Sequence, residues 1–209
     1  MPSVLPPTEF DFLPQPLAPS VAPPHGKSHS GFMQRLANWR FTQLLQRALR
    51  QAGEPNLVLD LPCGNGQFWP LLTGHPNRVI LAADNSALML AQAKLFQPQA
   101  VIDRVRLFQT SVFSIDLPKN SVECIFCMRL FPRLDESSQR LAMLAEMHRV
   151  ASDTLILATG MGQQQSNGLI VPLALIEAEF KQAGFSIAGH HDLLPGYSKR
   201  RIYVLRKGL

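Results

Sequence analysis

Asp60 and Asp84 are the two carboxylates whose surroundings suggest chemistry. Asp60 closes an apolar run, Val58-Leu59, and is followed by Leu61-Pro62-Cys63-Gly64-Asn65-Gly66. The two glycines let the chain fold tightly and bring bare backbone N–H groups close to a ligand. Asp84 closes a second apolar run, Val79 to Ala83, about twenty residues further on, the spacing at which a carboxylate meets ribose hydroxyls in doubly wound sheets. Together they read as a nucleotide cradle. Gln67 to Leu72 is expected to start a helix whose N-terminal amides face the same ligand and favour an anionic group.

Those residues must be held by a sheet, and the chain supplies one. Met33, Ala37, Phe41, Leu44, Leu45, Ala48 and Leu49 recur at helical spacing from Phe32 to Ala52, with Gly53 as a stop. The first strand and glycine turn follow, then a short helix broken by Pro70. Strand two runs Arg78 to Ala83, and Ser86 caps a helix reaching about Phe96, with Leu88, Met89 and Ala93 facing the sheet. Arg104–Gln109 and Val122–Met128 read as strands; Asp135 or Glu136 opens a helix with Leu141, Leu144 and Ala145, and Thr154–Ala158 returns as strand five. Gly160–Asn167 is a polar connection. Pro172 starts a helix stopped by Gly184, and Phe185–Asp192 with Ile202–Arg206 forms a terminal hairpin. Strands alternating with helices give an α/β three-layer, doubly wound sheet.

Residues 1–31 are of another kind. Eight of the 17 prolines occur by Pro24, without apolar periodicity, which predicts an extended or flexible arm. Phe10, Phe12 and Leu13 in it could act as a lid or contact a partner protein, leaving 32–209 as the folded domain. With 209 residues and 46% apolar content, one soluble domain is expected. No apolar run is long enough for a membrane span, and no secretory profile opens the chain, which points to the cytoplasm. Three cysteines argue against a disulfide framework. Cys124 and Cys127 have metal-ligand spacing, but their odd separation on a strand points them to opposite faces, so core packing is expected and no metal. The net charge of +5 is scattered apart from Lys199-Arg200-Arg201 and Arg206-Lys207, a cluster that suits a solvated hairpin as well as a phosphate site.

The residues resemble the class I S-adenosylmethionine-dependent methyltransferases, particularly small bacterial ones whose first motif looks like LDVPCGTG. The likeness covers roughly Arg35 to Lys207. Asp84, Ser86, Met89, Leu90 and Ala93 fit the D-x-S-x-x-M-L-x-x-A pattern after the second strand; Ser111-Val112-Phe113 with Leu117 to Cys124, then Arg129-Leu130-Phe131 and Glu146 to Val150, follow in the family's order. The resemblance implies a Rossmann-like methyltransferase fold, a mostly parallel seven-stranded sheet ending in an antiparallel hairpin, with S-adenosylmethionine as cofactor. By the same resemblance Asp60 organises the donor's ammonium end, and the backbone of Cys63, Gly64 and Gly66 lines its methionine portion, with Leu61 and Pro62 also among the cofactor-binding residues. Asp84 takes the ribose hydroxyls, Asn85 lies along the adenosine, Ser111 and Val112 meet the adenine edge, and Cys127-Met128 offers backbone near the sulfonium.

Departures from the family pattern narrow the chemistry. Ser111 stands where Asp is usual, and Asn65 where Thr is expected. Arg129-Leu130-Phe131 is followed by Pro132-Arg133 rather than His-His, which removes the expected imidazole base and leaves no catalytic residue assigned. His148 reads as a packing histidine; His190, His191 and Tyr197 carry little functional signal, and Trp39 or Arg40 could touch substrate. No motif for gripping a nucleobase amine or attacking a pyrimidine is present, nor a basic-aromatic stacking platform, so nucleic acid is disfavoured. A small-molecule or lipid-like acceptor fits the open cleft. Two rival readings are a methyltransferase-fold protein that binds the cofactor or a partner enzyme without turnover, and a dehydrogenase. The latter is weakened by Trp69 at the third glycine position of G-x-G-x-x-G.

Overall fold

The computed structural model describes residues 29–160, 163–164, 170–192 and 200–208. The expectations placed on residues 1–28, on Tyr197 and on Lys199 lie outside them. The chain falls into two units, Met1–Arg35 and Leu36–Leu209, and the second holds the sheet. Helix α1 spans His29–Gln51; its buried positions Leu44, Leu45, Ala48 and Leu49 repeat at helical spacing, and Gly53, at φ +88°, turns the chain out of it.

Five parallel strands follow in sequence: β1 Leu57–Asp60, β2 Val79–Asp84, β3 Val105–Gln109, β4 Val122–Cys127 and β5 Ala151–Gly160. A two-residue pair, β6 Gln163–Gln164 with β7 Ile170–Val171, stands apart. The hairpin strands β8 Phe185–Asp192 and β9 Arg200–Lys207 complete the seven-stranded sheet in the order β3-β2-β1-β4-β5-β9-β8, with β9 antiparallel to β5. The strand order therefore reverses at β1, which pairs with β2 on one side and β4 on the other. In open α/β sheets the crevice beyond the carboxyl ends at such a reversal is where ligands bind.

The remaining helices are α2 Trp69–Leu72, α3 Ala87–Phe96, α4 Gln99–Ile102, α5 Ser137–Val150 and α6 Leu173–Gln182, with a 3₁₀ turn at Phe131–Arg133. Because successive strand side chains point to opposite faces, the sheet feeds two cores. Leu59, Ile125, Cys127, Leu155 and Tyr203 pack with α5 and α6; Val58, Ile80, Cys124, Phe126 and Ile156 pack with α1, Trp69 and Leu72. Cys124 and Cys127 thus occupy opposite cores, both fully buried, and burial pushes each thiol up to about 12.

Four expectations need correction. The helix after the glycines does not begin at Gln67: residues 65–68 turn, and only Trp69–Leu72 is helical, with Pro70 in its first turn rather than breaking it. Too few aligned amides remain for a helix terminus to hold an anion. Leu88 points to solvent, 59% exposed, and only Ala93 of the three named positions on α3 is fully buried. Ala145 likewise lies on the exposed side of α5, while Met143, Leu144 and Met147 face the core. Three basic residues of the hairpin bond within the protein: Arg201 pairs with Asp192, Arg206 with Asp153, and Lys207 donates to the carbonyls of His148 and Ala151.

Candidate functional site

All of the positions expected to bind a ligand lie at one edge of the sheet. Asp60 ends β1, Leu61 to Gly66 form the turn beyond it, and Asp84-Asn85 end β2. Ser111 and Val112 follow β3, and Cys127-Met128 end β4. Backbone bonds tie these ends together. The Leu61 N–H donates to Phe126 O at 3.1 Å, and the Cys63 N–H to Ala83 O at 2.8 Å, so the turn is anchored to both neighbouring strands. The Leu61–Pro62 peptide is cis.

The glycines are required by geometry. Gly64 sits at φ +55° and Gly66 at φ +72°, a region that suits glycine. A Cβ on Gly66 would lie 2.7 Å from the Trp69 ring. Asp84, 5% exposed, holds the corner shut: its Oδ2 accepts from the Gly64 N–H at 2.9 Å, and its Oδ1 from the Ser86 N–H at 3.0 Å. A carboxylate oxygen has two lone pairs, so each keeps one acceptor site beyond these bonds.

Asp60 is buried behind the turn, 1% exposed, and its Oδ2 accepts from the Trp69 indole N–H at 3.0 Å. Burial pushes its carboxyl up to about 8, against the pull of the Trp69 bond and the Arg129 guanidinium; Asp84 pushes the same way as burial. Burial also drives the Cys63 thiol upward, with Asp60 and Asp84 adding to it, so this cysteine stays a thiol. Ser111 uses its hydroxyl locally, accepting from the Phe113 N–H at 3.2 Å, and Asn85 is exposed with its carbonyl taking the Gln109 amide at 2.9 Å.

Two features went unread in the sequence. Arg129, directly after Cys127-Met128, lays its guanidinium over the glycine corner: Nη1 is 3.5 Å from where a Gly64 Cβ would be, and Cζ is 5.7 Å from the Phe68 ring centroid. Its signal was its place, a basic residue just past the carboxyl end of a strand flanking the reversal. Beside it, Asn38, Phe41, Thr42 and Gln46 of α1 face Gln67, Phe68, Pro70 and Leu71 across a groove of about 400 Å³. Three of the described histidines, His148, His190 and His191, lie elsewhere. His148 stacks edge-on against Phe185 at 5.1 Å beneath Gly184, His190 lies 5.9 Å from the Tyr203 ring, and His191 bonds Gln51 at 2.9 Å. Trp39 is 59% exposed.

A glycine corner at a strand-order reversal, flanked by two strand-end carboxylates, is the arrangement of doubly wound α/β domains. Comparison with known proteins narrows this: residues 58–153 match the family model described as a methyltransferase domain. No curated protein matches the sequence. Among solved structures, magnesium protoporphyrin IX methyltransferase from Synechocystis PCC 6803, with bound SAH, superposes with a TM-score of 0.68 at 16% identity, covering 88% of this chain and 90% of that one. A S-adenosylmethionine-dependent methyltransferase from Clostridium acetobutylicum ATCC 824 gives 0.68 at 13% identity, over 81% and 92%. The [4+2]-cyclase SpnF gives 0.65 at 17% identity, over 80% and 82%. The matched segment and these superpositions give the chain the fold of class I S-adenosylmethionine-dependent methyltransferases, with the mostly parallel sheet and antiparallel hairpin expected of them. Among the described residues no helix is long and apolar enough to cross a membrane.

Proposed function

We propose that the chain transfers a methyl group from S-adenosylmethionine to a small-molecule or lipid-like acceptor, with the donor in the crevice beyond β1, β2 and β4. The observation that carries this is the corner at Gly64 and Gly66, which lacks side chains of its own, takes left-handed backbone at both glycines and is pinned by Asp84 through the Gly64 N–H. The donor set fits the ligand. An α-amino acid end asks for one anion and one cation, and Asp60 and Arg129 stand together at the corner. When bound, S-adenosylmethionine supplies an electrophilic methyl group on a sulfonium.

The chain's residues do the holding. Asp60 takes the ammonium and Arg129 the carboxylate, while Leu61, Pro62, Cys63, Gly64 and Gly66 line that portion. Asp84 accepts ribose hydroxyls on its remaining lone pairs. Asn85 lies along the adenosine, Ser111 and Val112 border the adenine, and the Cys127-Met128 backbone faces the sulfonium. Rate then comes mainly from positioning a nucleophile in line, which holds for an acceptor that arrives deprotonated or needs no base. Calorimetry with the intact protein tests this. SAH is expected to bind, and Asp84→Ala to weaken it by more than about tenfold, since the change removes both the pin on Gly64 and the ribose acceptor. No binding, or binding indifferent to Asp84→Ala, would end the reading.

A second reading is favoured by one feature: Pro132-Arg133 stands where imidazoles were expected, and His148, His190 and His191 lie away from the corner. The chain would then hold the donor without turning it over. Methyl transfer from labelled donor to any acceptor in an extract counts against it. The segment ahead of α1 is proposed as an arm that serves as lid or partner contact, a role that unchanged activity after removal of residues 1–24 would exclude; its expected end at residue 31 moves back because His29–Gly31 belong to α1. A cytoplasmic site is proposed on the three cysteines, all buried and unpaired.

A further inference from the structure

We propose that the groove between α1 and residues 67–71 is the acceptor pocket, and that it takes a planar, uncharged aromatic molecule bearing hydrogen-bonding substituents. This rests on the donor reading above and names the substrate class of the same site. Three observations carry it.

The first is chemistry. The groove is walled by Phe41 and Phe68, whose ring centroids are 6.2 Å apart and tilted by 56°, and bordered by Pro70 and Leu71. An arene entering beside them finds ring faces and edges at once, the arrangements aromatic pairs prefer. The rim carries the carboxamides of Asn38, Gln46 and Gln67 and the Thr42 hydroxyl. Carboxamides both donate and accept, so they suit phenolic, carbonyl or ring-nitrogen substituents. None of the eight lining residues is charged, and Arg129, which rests on Phe68 over Gly64, is the cation proposed for the donor's carboxylate, so with the donor bound a charged group placed in the groove would lose water without gaining a free counter-ion.

The second is size. At about 400 Å³ the groove lies at the small end of ligand pockets, room for a small ring system rather than a helix or a nucleic-acid strand.

The third is position. Gln67 and Phe68 directly follow Gly66, and Phe68 is a shared wall: it lines the groove and carries the Arg129 guanidinium that lies over Gly64. Phe68 also stands edge-on to Phe126 of β4, at 5.6 Å and 68°, so its ring is fixed by the sheet. A molecule lodged against it sits beside the donor corner.

The test uses the full chain saturated with SAH and two probes of equal shape, 2-naphthol and 2-naphthoate, followed by saturation-transfer NMR and titration near neutral pH. Uncharged 2-naphthol is expected to bind saturably, and the naphthoate about tenfold or more weakly. Thr42→Trp, which fills the groove from the α1 side, is expected to weaken 2-naphthol by at least about tenfold while SAH affinity stays within about twofold. Equal or tighter binding of the naphthoate, or naphthol binding indifferent to Thr42→Trp, overturns the proposal. Arene binding that appears only once residues 1–28 are cut away gives the groove to the chain's own N-terminal segment and also overturns it. SAH binding without any naphthol binding sinks the groove alone; naphthol binding at the groove without SAH binding keeps the pocket and sinks the donor reading.

Discussion

Asp60 and Glu179 are both buried acids, and the fold treats them oppositely. Glu179, on α6, receives the Nε and Nη2 groups of Arg140 at 2.8 and 2.7 Å and the Ser137 hydroxyl at 2.6 Å. Arg140 spends its third nitrogen on the carbonyls of Leu134 and Asp135, at 2.9 Å each. Charge and hydrogen-bonding capacity are met within the protein, and the result is a brace between α5, α6 and the turn after β4. Asp60 receives one neutral donor, the Trp69 indole, and burial outweighs the attraction of Arg129 enough to push its carboxyl up to about 8. A chain that can neutralise a buried carboxylate at one place leaves another under-compensated at the glycine corner. The difference teaches which acid is left open to a cation from outside: Glu179 is compensated on folding, whereas Asp60 is the one that the ammonium proposed above would compensate.

The largest effect expected of this contrast is on stability at Glu179. Glu179→Ala strands the Arg140 guanidinium, 1% exposed, without its counter-ion. Breaking one side of a buried pair costs about 3–5 kcal/mol, to be read as a fall in the urea midpoint at unchanged slope. SAH affinity of the folded fraction should not move. A loss under about 1 kcal/mol would mean that the brace is ornamental and that the two acids do not differ as described.

At Asp60 the expected effect is smaller and falls on binding. Asp60→Asn keeps an acceptor for the Trp69 indole, so the fold should persist, while SAH affinity drops by about tenfold to a hundredfold as the anion is lost. The pH dependence has a definite sign. The native carboxyl titrates near 8 and the ordinary one at 3.8, so between those values the unfolded chain has released a proton that the native chain keeps. This contribution is complete below the ordinary value. It declines as pH rises, by at most about 1.4 kcal/mol per unit, and Asp60→Asn should flatten that slope. Donor affinity should run the other way, rising by up to about tenfold per unit from pH 6 to 8 in the native sequence, because the ammonium needs the ionised acid. A wild-type affinity flat across that range would place the ammonium elsewhere.

What could be read from the sequence follows the same division. The glycine corner and the two strand-end acids are local: Gly64, Gly66, Asp60 and Asp84 declare themselves by spacing, and the alternation of strands and helices fixes which edge they share. The start of the helix after Gly66 was misplaced because a distant demand wins there: Trp69 must deliver its indole N–H to Asp60 and its ring to Gly66, so residues 65–68 stay in turns. The inward face of α3 differs from its apolar pattern because Ala87–Phe96 is apolar nearly all round, and periodicity cannot choose a face when every face qualifies. β5 runs from Ala151 to Gly160, longer than its apolar stretch, because β9 pairs with it as far as Gly160 against Arg200. Arg129 and the groove at Phe68 depend on where side chains point across elements far apart in sequence, and no spacing encodes that.

The smallest effect expected tests whether the corner is held by Asp84 itself or by the helix beyond it. Ser86 serves both: its N–H donates to Asp84 Oδ1 at 3.0 Å, and its hydroxyl accepts from the Met89 N–H at 3.3 Å, capping α3. Ser86→Ala removes the cap and leaves the backbone bond in place. A lost N-cap costs about 1 kcal/mol, visible as a small drop in the unfolding midpoint. If Asp84 is positioned by the two backbone amides it accepts from, SAH affinity stays within about twofold of the native protein. A fall in affinity larger than the loss of stability would mean that α3 orients Asp84 through its first turn, and the ligand edge would then reach one element further than the two strand ends and the glycine corner.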